Sequence, residues 1–442
     1  MRRPVTIAAA LAVALVGFAL ARGSGDTPSP ETRTSDRETD ATSATASAPR
    51  RPSPVAAPPT APQPYVVPAD AIAVSTSTEL AASVAEATPR DIVLDDGVYT
   101  WHSPLEVAGG HRLWARNLGR TTLKFGLVLA GATGRGPELH GLRLDISDAG
   151  LASEGAAVAI PAGGAENAGV YDSWLLGNGA LAAGLKARET NGLRVERVVA
   201  RAFTDWGIFF QATYPDYLTD DPAVTPVITD ADISSVHRPV RGASNGRAEA
   251  GLWAGVGCLC SRIRVRDTGW SGVETAGNVN GGVFEDLDIG DVHGTVPDGE
   301  GLAGTQTGVG VYLEHYTRRT VFRRIHVHSG GGVRPRVGIH TEWADPAYAG
   351  TNVEDAFVGA AFDATIEDSL FDTTHDGIYL ADAMRSTIRR NRFVGQKYAA
   401  IRDYMTAGLG HATTLADNTF AMESGAQEYT RSHSQTVPEY HP

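Results

Sequence analysis

From Gly184 to Leu415 the chain alternates apolar and polar positions with a period of two, and no helical period of 3.6 survives across it. The alternation falls into two interleaved series. In one, a glycine or small residue precedes an apolar position: Gly184-Leu185, Gly207-Ile208, Gly251-Leu252, Gly272-Val273, Gly310-Val311, Gly338-Ile339, Gly377-Ile378 and Ala400-Ile401. The other series has apolar residues at relative positions 0, 3 and 5, beginning at Val195, Ile228, Cys260, Phe284, Phe322, Ile366, Ile388 and Leu415. One member of each falls in every coil, and fainter coils precede them around Leu127/Leu139 and Val158/Val170. Strands repeated this way pair with their equivalents in the next coil, parallel and about 4.8 Å apart. The pattern predicts an all-β, single-stranded right-handed parallel β-helix of about ten coils. Asn391 and Asn418 share one stacked position, as an asparagine ladder in a turn requires. The Leu-x-x-Leu-x-Leu signature of a leucine-rich solenoid is missing.

The rest of the chain divides around this repeat. Met1-Arg2-Arg3 followed by an apolar run and Ala19-Leu20-Ala21 predicts an export signal over residues 1–21, with a retained anchor as the rival reading. Residues 22–68 hold ten prolines and a single aromatic, Tyr65, and predict an extended, mobile linker. Residues 69–442 form the solenoid domain. Within it, Ser77 to Ala87 is a short amphipathic helix with Leu80 and Val84 on one face and Ser77 or Thr78 placed to cap it. Such a helix suits the exposed apolar end of a solenoid. The protein is expected outside the cytoplasm, secreted or tethered to the cell surface, and monomeric.

The helix runs into Asp91-Ile92-Val93-Leu94 and Gly97-Val98-Tyr99, and the repeat phrase Gly377-Ile378-Tyr379-Leu380 precedes Ser386-Thr387-Ile388-Arg389-Arg390-Asn391. Over roughly residues 72–420 this resembles the pectate-lyase-like superfamily of right-handed β-helices. The resemblance implies the fold and leaves the chemistry open, because this architecture carries many activities.

If the apolar residue after each glycine points inward, the next residue and the one two further on point outward. The first outward column reads Lys186, Phe209, Trp253, Glu274, Tyr312, His340, Tyr379 and Arg402, and the second includes Arg188, Gln211, Glu314, Glu342 and Tyr404. Flat apolar faces interleaved with carboxylates are what a sugar site needs; packing under neighbouring loops is the structural alternative. Insertions at Ala212–Val227 and Trp343–Phe362 are placed to wall the groove. Trp253, Phe209, Tyr379, Arg402, Lys186 and Arg188 are the candidate substrate contacts. Glu314, Glu274, Glu342, His340 and Tyr312 are the candidate catalytic groups. Glu314 and Glu342 fall on consecutive coils, so repulsion raises one carboxyl and makes it a proton donor. Glu274 and Glu314 lie about 8 Å apart from strand geometry, the spacing of an inverting hydrolase pair. Tyr312 beside His340 is a second proton-transfer pair.

Composition narrows the substrate. Net charge is −13 with only three lysines, which argues against nucleic acid and anionic membranes as partners and fits poorly with polyuronates. The Asn-Thr-Asp, Asp-Asp and Gly-His-Gly motifs of polygalacturonase-like hydrolases are missing, as is a calcium-ligating Asp cluster on the outward columns. Extracellular polysaccharide is the expected partner and glycoside hydrolysis the expected reaction. A Tyr/His polysaccharide lyase and a non-catalytic glycan-binding or structural solenoid are the alternatives. No cofactor or metal is expected; the turn from Asp291 to Gly301, with Asp298 and Glu300, is the candidate calcium site, but it lacks the spacing of a calcium loop and reads as a solvated acidic loop. Cys258 and Cys260 are expected to be buried free thiols.

Overall fold

The computed structural model describes residues 59–434 apart from 132–133, 189, 212–224, 237–249, 276–278, 280, 294–307, 314–316, 342–362, 382, 384 and 407–412. The described chain belongs to one compact unit. It is a right-handed parallel β-helix. A twelve-stranded sheet contributes one strand per coil, and a 22-stranded sheet contributes two strands per coil over most of its length. Among the described residues no helix is long and apolar enough to cross a membrane; the export-signal residues lie outside that set.

Both apolar series stack in register. Leu127, Val158, Leu185, Ile208, Leu252, Val273, Val311, Ile339, Ile378 and Ile401 are successive partners in the smaller sheet. Leu139, Val170, Val195, Ile228, Cys260, Phe284, Phe322, Ile366, Ile388 and Leu415 are successive partners in the larger one. Most of their side chains form one continuous core, extended near its C-terminal end by stacked rings of Phe371, Phe393 and Phe420. The glycine of the first series is a requirement of close packing. A Cβ on Gly251 would lie 2.8 Å from the Gly272 carbonyl oxygen and overlap the Val265 side chain.

The two strand rows of the larger sheet meet at a sharp corner, where each coil places one residue at positive φ. Just beyond it sits a polar ladder. Asn391 accepts from the Ser369 N–H and donates to Ile366 O and Asn418 Oδ1, and Asn418 donates to Ile388 O. Ser369 continues the ladder, accepting from the Ile325 N–H and donating to Glu367 O.

The corner residues themselves alternate in charge from Asp172 through Arg197, Asp230, Arg262, Asp286, Arg324, Asp368 and Arg390 to Asp417. Arg197, Arg262, Arg324 and Arg390 each grip the aspartate of the preceding coil with two hydrogen bonds. The alternation satisfies side chains that the αL turn forces outward side by side.

The N-terminal helix spans Ser77–Val84 and buries Leu80 and Val84 against the core. Its N-cap is Thr76 rather than Ser77 or Thr78, because Glu79 then falls at the third helical position and closes a capping box. Cys258 and Cys260 are a disulfide rather than free thiols. Their Cα atoms are 5.8 Å apart, inside the bridging range, and their shared orientation brings the sulfurs together. Residues 59–68, at the end of the proline-rich stretch, lie along the solenoid and hydrogen-bond to it.

Candidate functional site

The first outward column is assembled in the predicted register. Lys186, Phe209, Trp253, Glu274, Tyr312, His340, Tyr379 and Arg402 are consecutive partners across eight strands of the smaller sheet. Pointing outward does not leave them open. Phe209, Glu274, Tyr312, His340 and Tyr379 are buried, while Trp253 and Arg402 are half-buried and Arg188 is exposed. The rings pack along the column. Phe209 and Trp253 stack at 4.3 Å, Tyr312 and His340 at 5.5 Å, and His340 meets Tyr379 edge-on at 4.8 Å. Glu314, His315, Glu342, most of the 212–227 insertion and all of the 343–362 insertion lie outside the described residues, as do Asp298 and Glu300.

Three features give this column chemical character. The Glu274 carboxylate accepts from the Trp253 indole at 3.2 Å and from Ser271 Oγ at 3.5 Å, which fixes its orientation. Arg402 lies over the Tyr379 ring at 5.0 Å and ion-pairs with buried Asp376 at 3.0 Å. His340 is fully buried, and neither ring nitrogen has a hydrogen-bond partner among the described residues. Burial, reinforced by the Arg402 charge, pushes its pKa down to about 3, so the ring is neutral. An unpartnered buried imidazole is costly, on the order of 1–3 kcal/mol, and calls for a compensating role. At the N-terminal end of the column, Lys186 and Arg188 both turn to Glu154, at 3.3 and 3.5 Å.

A second polar cluster stands on the larger sheet, where no site residue was expected. His328 Nε2 lies 2.8 Å from Asp288 Oδ1, Arg266 holds Asp288 Oδ2 at 2.6 Å, and His326 stacks on His328 at 3.9 Å. Burial pushes the Asp288 carboxyl up, but hydrogen bonds from His328 and Arg266 outweigh it and hold it well below the usual range. Asp288, His326 and His328 are close enough to share a cation. The Gly330 N–H donates to His328 Nδ1, which leaves Nε2 turned to Asp288 and Arg266. These residues follow the second apolar series at outward positions, so the same alternation places them once that sheet is read.

No protein-family model matches the chain, and no curated protein matches it. Solved structures do. A PL6 alginate lyase in complex with a trisaccharide is 13% identical, with a TM-score of 0.50 over 84% of this chain and 90% of that one. A GH87 alpha-1,3-glucanase catalytic unit from Streptomyces thermodiastaticus is 14% identical, with a TM-score of 0.49 over 84% of this chain and 71% of that one. The Dettilon tailspike protein is 11% identical, with a TM-score of 0.49 over 79% of this chain and 66% of that one. At these identities the likeness is one of fold.

Proposed function

We propose that the chain is an extracellular polysaccharide-acting enzyme whose reactive centre is the Glu274–Tyr312–His340 stretch of the outward column, and that it cleaves by elimination. The observation that carries the reading is His340, neutral, buried, unpartnered and stacked on a tyrosine. In elimination from a uronate, a base removes the proton α to the carboxyl group and the β C–O bond breaks. An unsaturated sugar and a new hydroxyl end result. His340 takes the proton, the Tyr312 phenol protonates the departing oxygen, and solvent carries the proton from His340 back to Tyr312 once the products leave. Arg402, three coils from Tyr312, is the cation that meets the sugar carboxylate in a chain whose net charge of −13 otherwise disfavours a polyuronate. A bound carboxylate adds negative charge beside His340 and raises its pKa toward the working range of a base. Because Tyr312 and His340 are buried, productive binding requires this face to open. The fold-level likeness to an alginate lyase supports the reading only in that this architecture accommodates elimination on uronates.

Hydrolysis is the second reading, favoured by the fixed, buried Glu274 carboxylate; there Glu274 is the base and Glu314 the proton donor. The test is to incubate the full-length protein with uronate and neutral glycans, following ultraviolet absorbance of unsaturated products and new reducing ends together. Elimination predicts both signals, each lost by at least about 100-fold in His340→Ala and Tyr312→Phe. Reducing ends without unsaturation, lost in Glu274→Gln, would establish hydrolysis. Neither signal on any glycan would leave no enzyme to explain.

A further inference from the structure

The corner of the larger sheet carries a feature unrelated to glycan chemistry. In one early coil the positive-φ residue is Gly141, and a Cβ there would overlap the hydroxyl of Tyr65. Tyr65 fills this notch from outside: its hydroxyl donates to Ala115 O at 2.7 Å and His140 O at 3.2 Å, and its ring rests 5.6 Å from that of Trp114. Upstream, the Gln63 N–H donates to Asp172 Oδ1 at 2.7 Å and the Thr60 N–H to Asp230 Oδ1 at 3.0 Å. Both carboxylates belong to the alternating corner, two coils apart, and each is already oriented by an arginine.

The spacings match. Three residues of polyproline-type chain advance about 9.3 Å, and two coils advance about 9.6 Å. An acceptor on every second coil therefore meets a donor on every third residue. Each donor follows a proline, and the prolines at 59, 62 and 64 keep the segment extended without removing either N–H. Beneath the segment the side chains of Asp172 and Asp230 are 3% and 5% exposed; the equivalent Asp286 and Asp368 further along are 21% and 28% exposed.

We propose that this corner is a docking track for extended, proline-rich polypeptide, and that residues 59–68 are a detachable occupant of it, plugged in by Tyr65. Recognition is by backbone N–H groups read at a three-residue interval and one phenol in a glycine notch. The inference is independent of the glycan reading.

The full-length chain tests it. In Gln63→Pro/Tyr65→Ala, which removes one donor and the plug, amide exchange over residues 59–68 should quicken at least about tenfold while the body keeps its thermal midpoint. A labelled peptide with the sequence of residues 58–68 should bind this variant and not the wild type; a peptide carrying Tyr65→Ala should bind neither. Gly141→Ala, which blocks the notch from the body side, should release the segment as well. Undiminished protection in the double variant overturns the proposal. So does a folded double variant that ignores the peptide at about 1 mM, the effective concentration a short tether supplies. A wild type that binds the peptide equally well would place binding elsewhere. A double variant that fails to fold would make the segment part of the fold rather than its occupant.

Discussion

Removing the Asn391 side chain isolates the contribution of the polar ladder. Asn391 is 1% exposed, and its amide serves two backbone groups of the neighbouring coil, the Ser369 N–H at 3.0 Å and Ile366 O at 2.9 Å. Asn391→Ala strips that partner from both. Each buried group left without it costs about 1–3 kcal/mol, so the loss should be about 2–6 kcal/mol. Asn391→Ser supplies an internal control, because serine already occupies this position elsewhere. Ser369 and Ser173 both accept from the neighbouring coil's N–H and return their hydroxyl proton to a carbonyl of their own coil. Serine at 391 should therefore restore the acceptor for Ser369 and leave only Ile366 O short, roughly halving the loss. Urea unfolding should show a lower midpoint at unchanged slope, in the order Asn, Ser, Ala. Amide exchange at Ser369 should accelerate in the same order, separating a local opening from global loss in a molecule whose coils couple mainly to their neighbours. An alanine variant within about 0.5 kcal/mol of wild type, or a serine variant no better than alanine, would refute the reasoning.

Two further perturbations probe other parts of the molecule. Burial and the His328 charge hold His326 at about 4 against an ordinary value near 6.5. As the pH falls from about 6.5 the unfolded chain takes up that proton first, so stability should be full above this window and decline toward about pH 4. His326→Phe should keep the stack on His328 while making the urea midpoint less pH-dependent there, and an unchanged slope would exclude the assignment. Gly251→Ala should lower the thermal midpoint by the equivalent of about 1–3 kcal/mol of overpacking, because its Cβ meets the Gly272 carbonyl and Val265 with no room to shift; a neutral effect would show that the coils can separate locally.

The register of the solenoid is legible in the sequence because each coil repeats the same inward positions, and a one-residue slip would turn Val273 or Ile339 out of the core. The asparagine ladder is legible for the same reason. What the outward positions do is not, since alternation gives direction and not exposure. Tyr312, His340 and Tyr379 point away from the core and are nonetheless buried, with their rings packed on one another along the column. The charged corner escapes a search for apolar periodicity although it stands two residues after every member of the second series, from Val195 and Arg197 to Leu415 and Asp417. The disulfide turns on whether two like-oriented sulfurs bond, which strand geometry permits without requiring. The docked segment escapes because proline-rich composition excludes a packed core of its own, and not a surface prepared by another part of the chain.

The corner's alternation restricts how this solenoid can change length. Asp230, Asp286 and Asp368 each sit between arginines of adjoining coils, so the motif repeats every second coil while the backbone repeats every one. Losing only the coil that carries Arg324 would set Asp286 directly against Asp368, two carboxylates about 4.8 Å apart along the strand-pairing direction. Duplicating that coil alone would set arginine against arginine. Removing or copying two neighbouring coils preserves the alternation. Growth and shrinkage of this part of the molecule are therefore tolerated in steps of two coils, a parity rule written into the side chains of a backbone that has none.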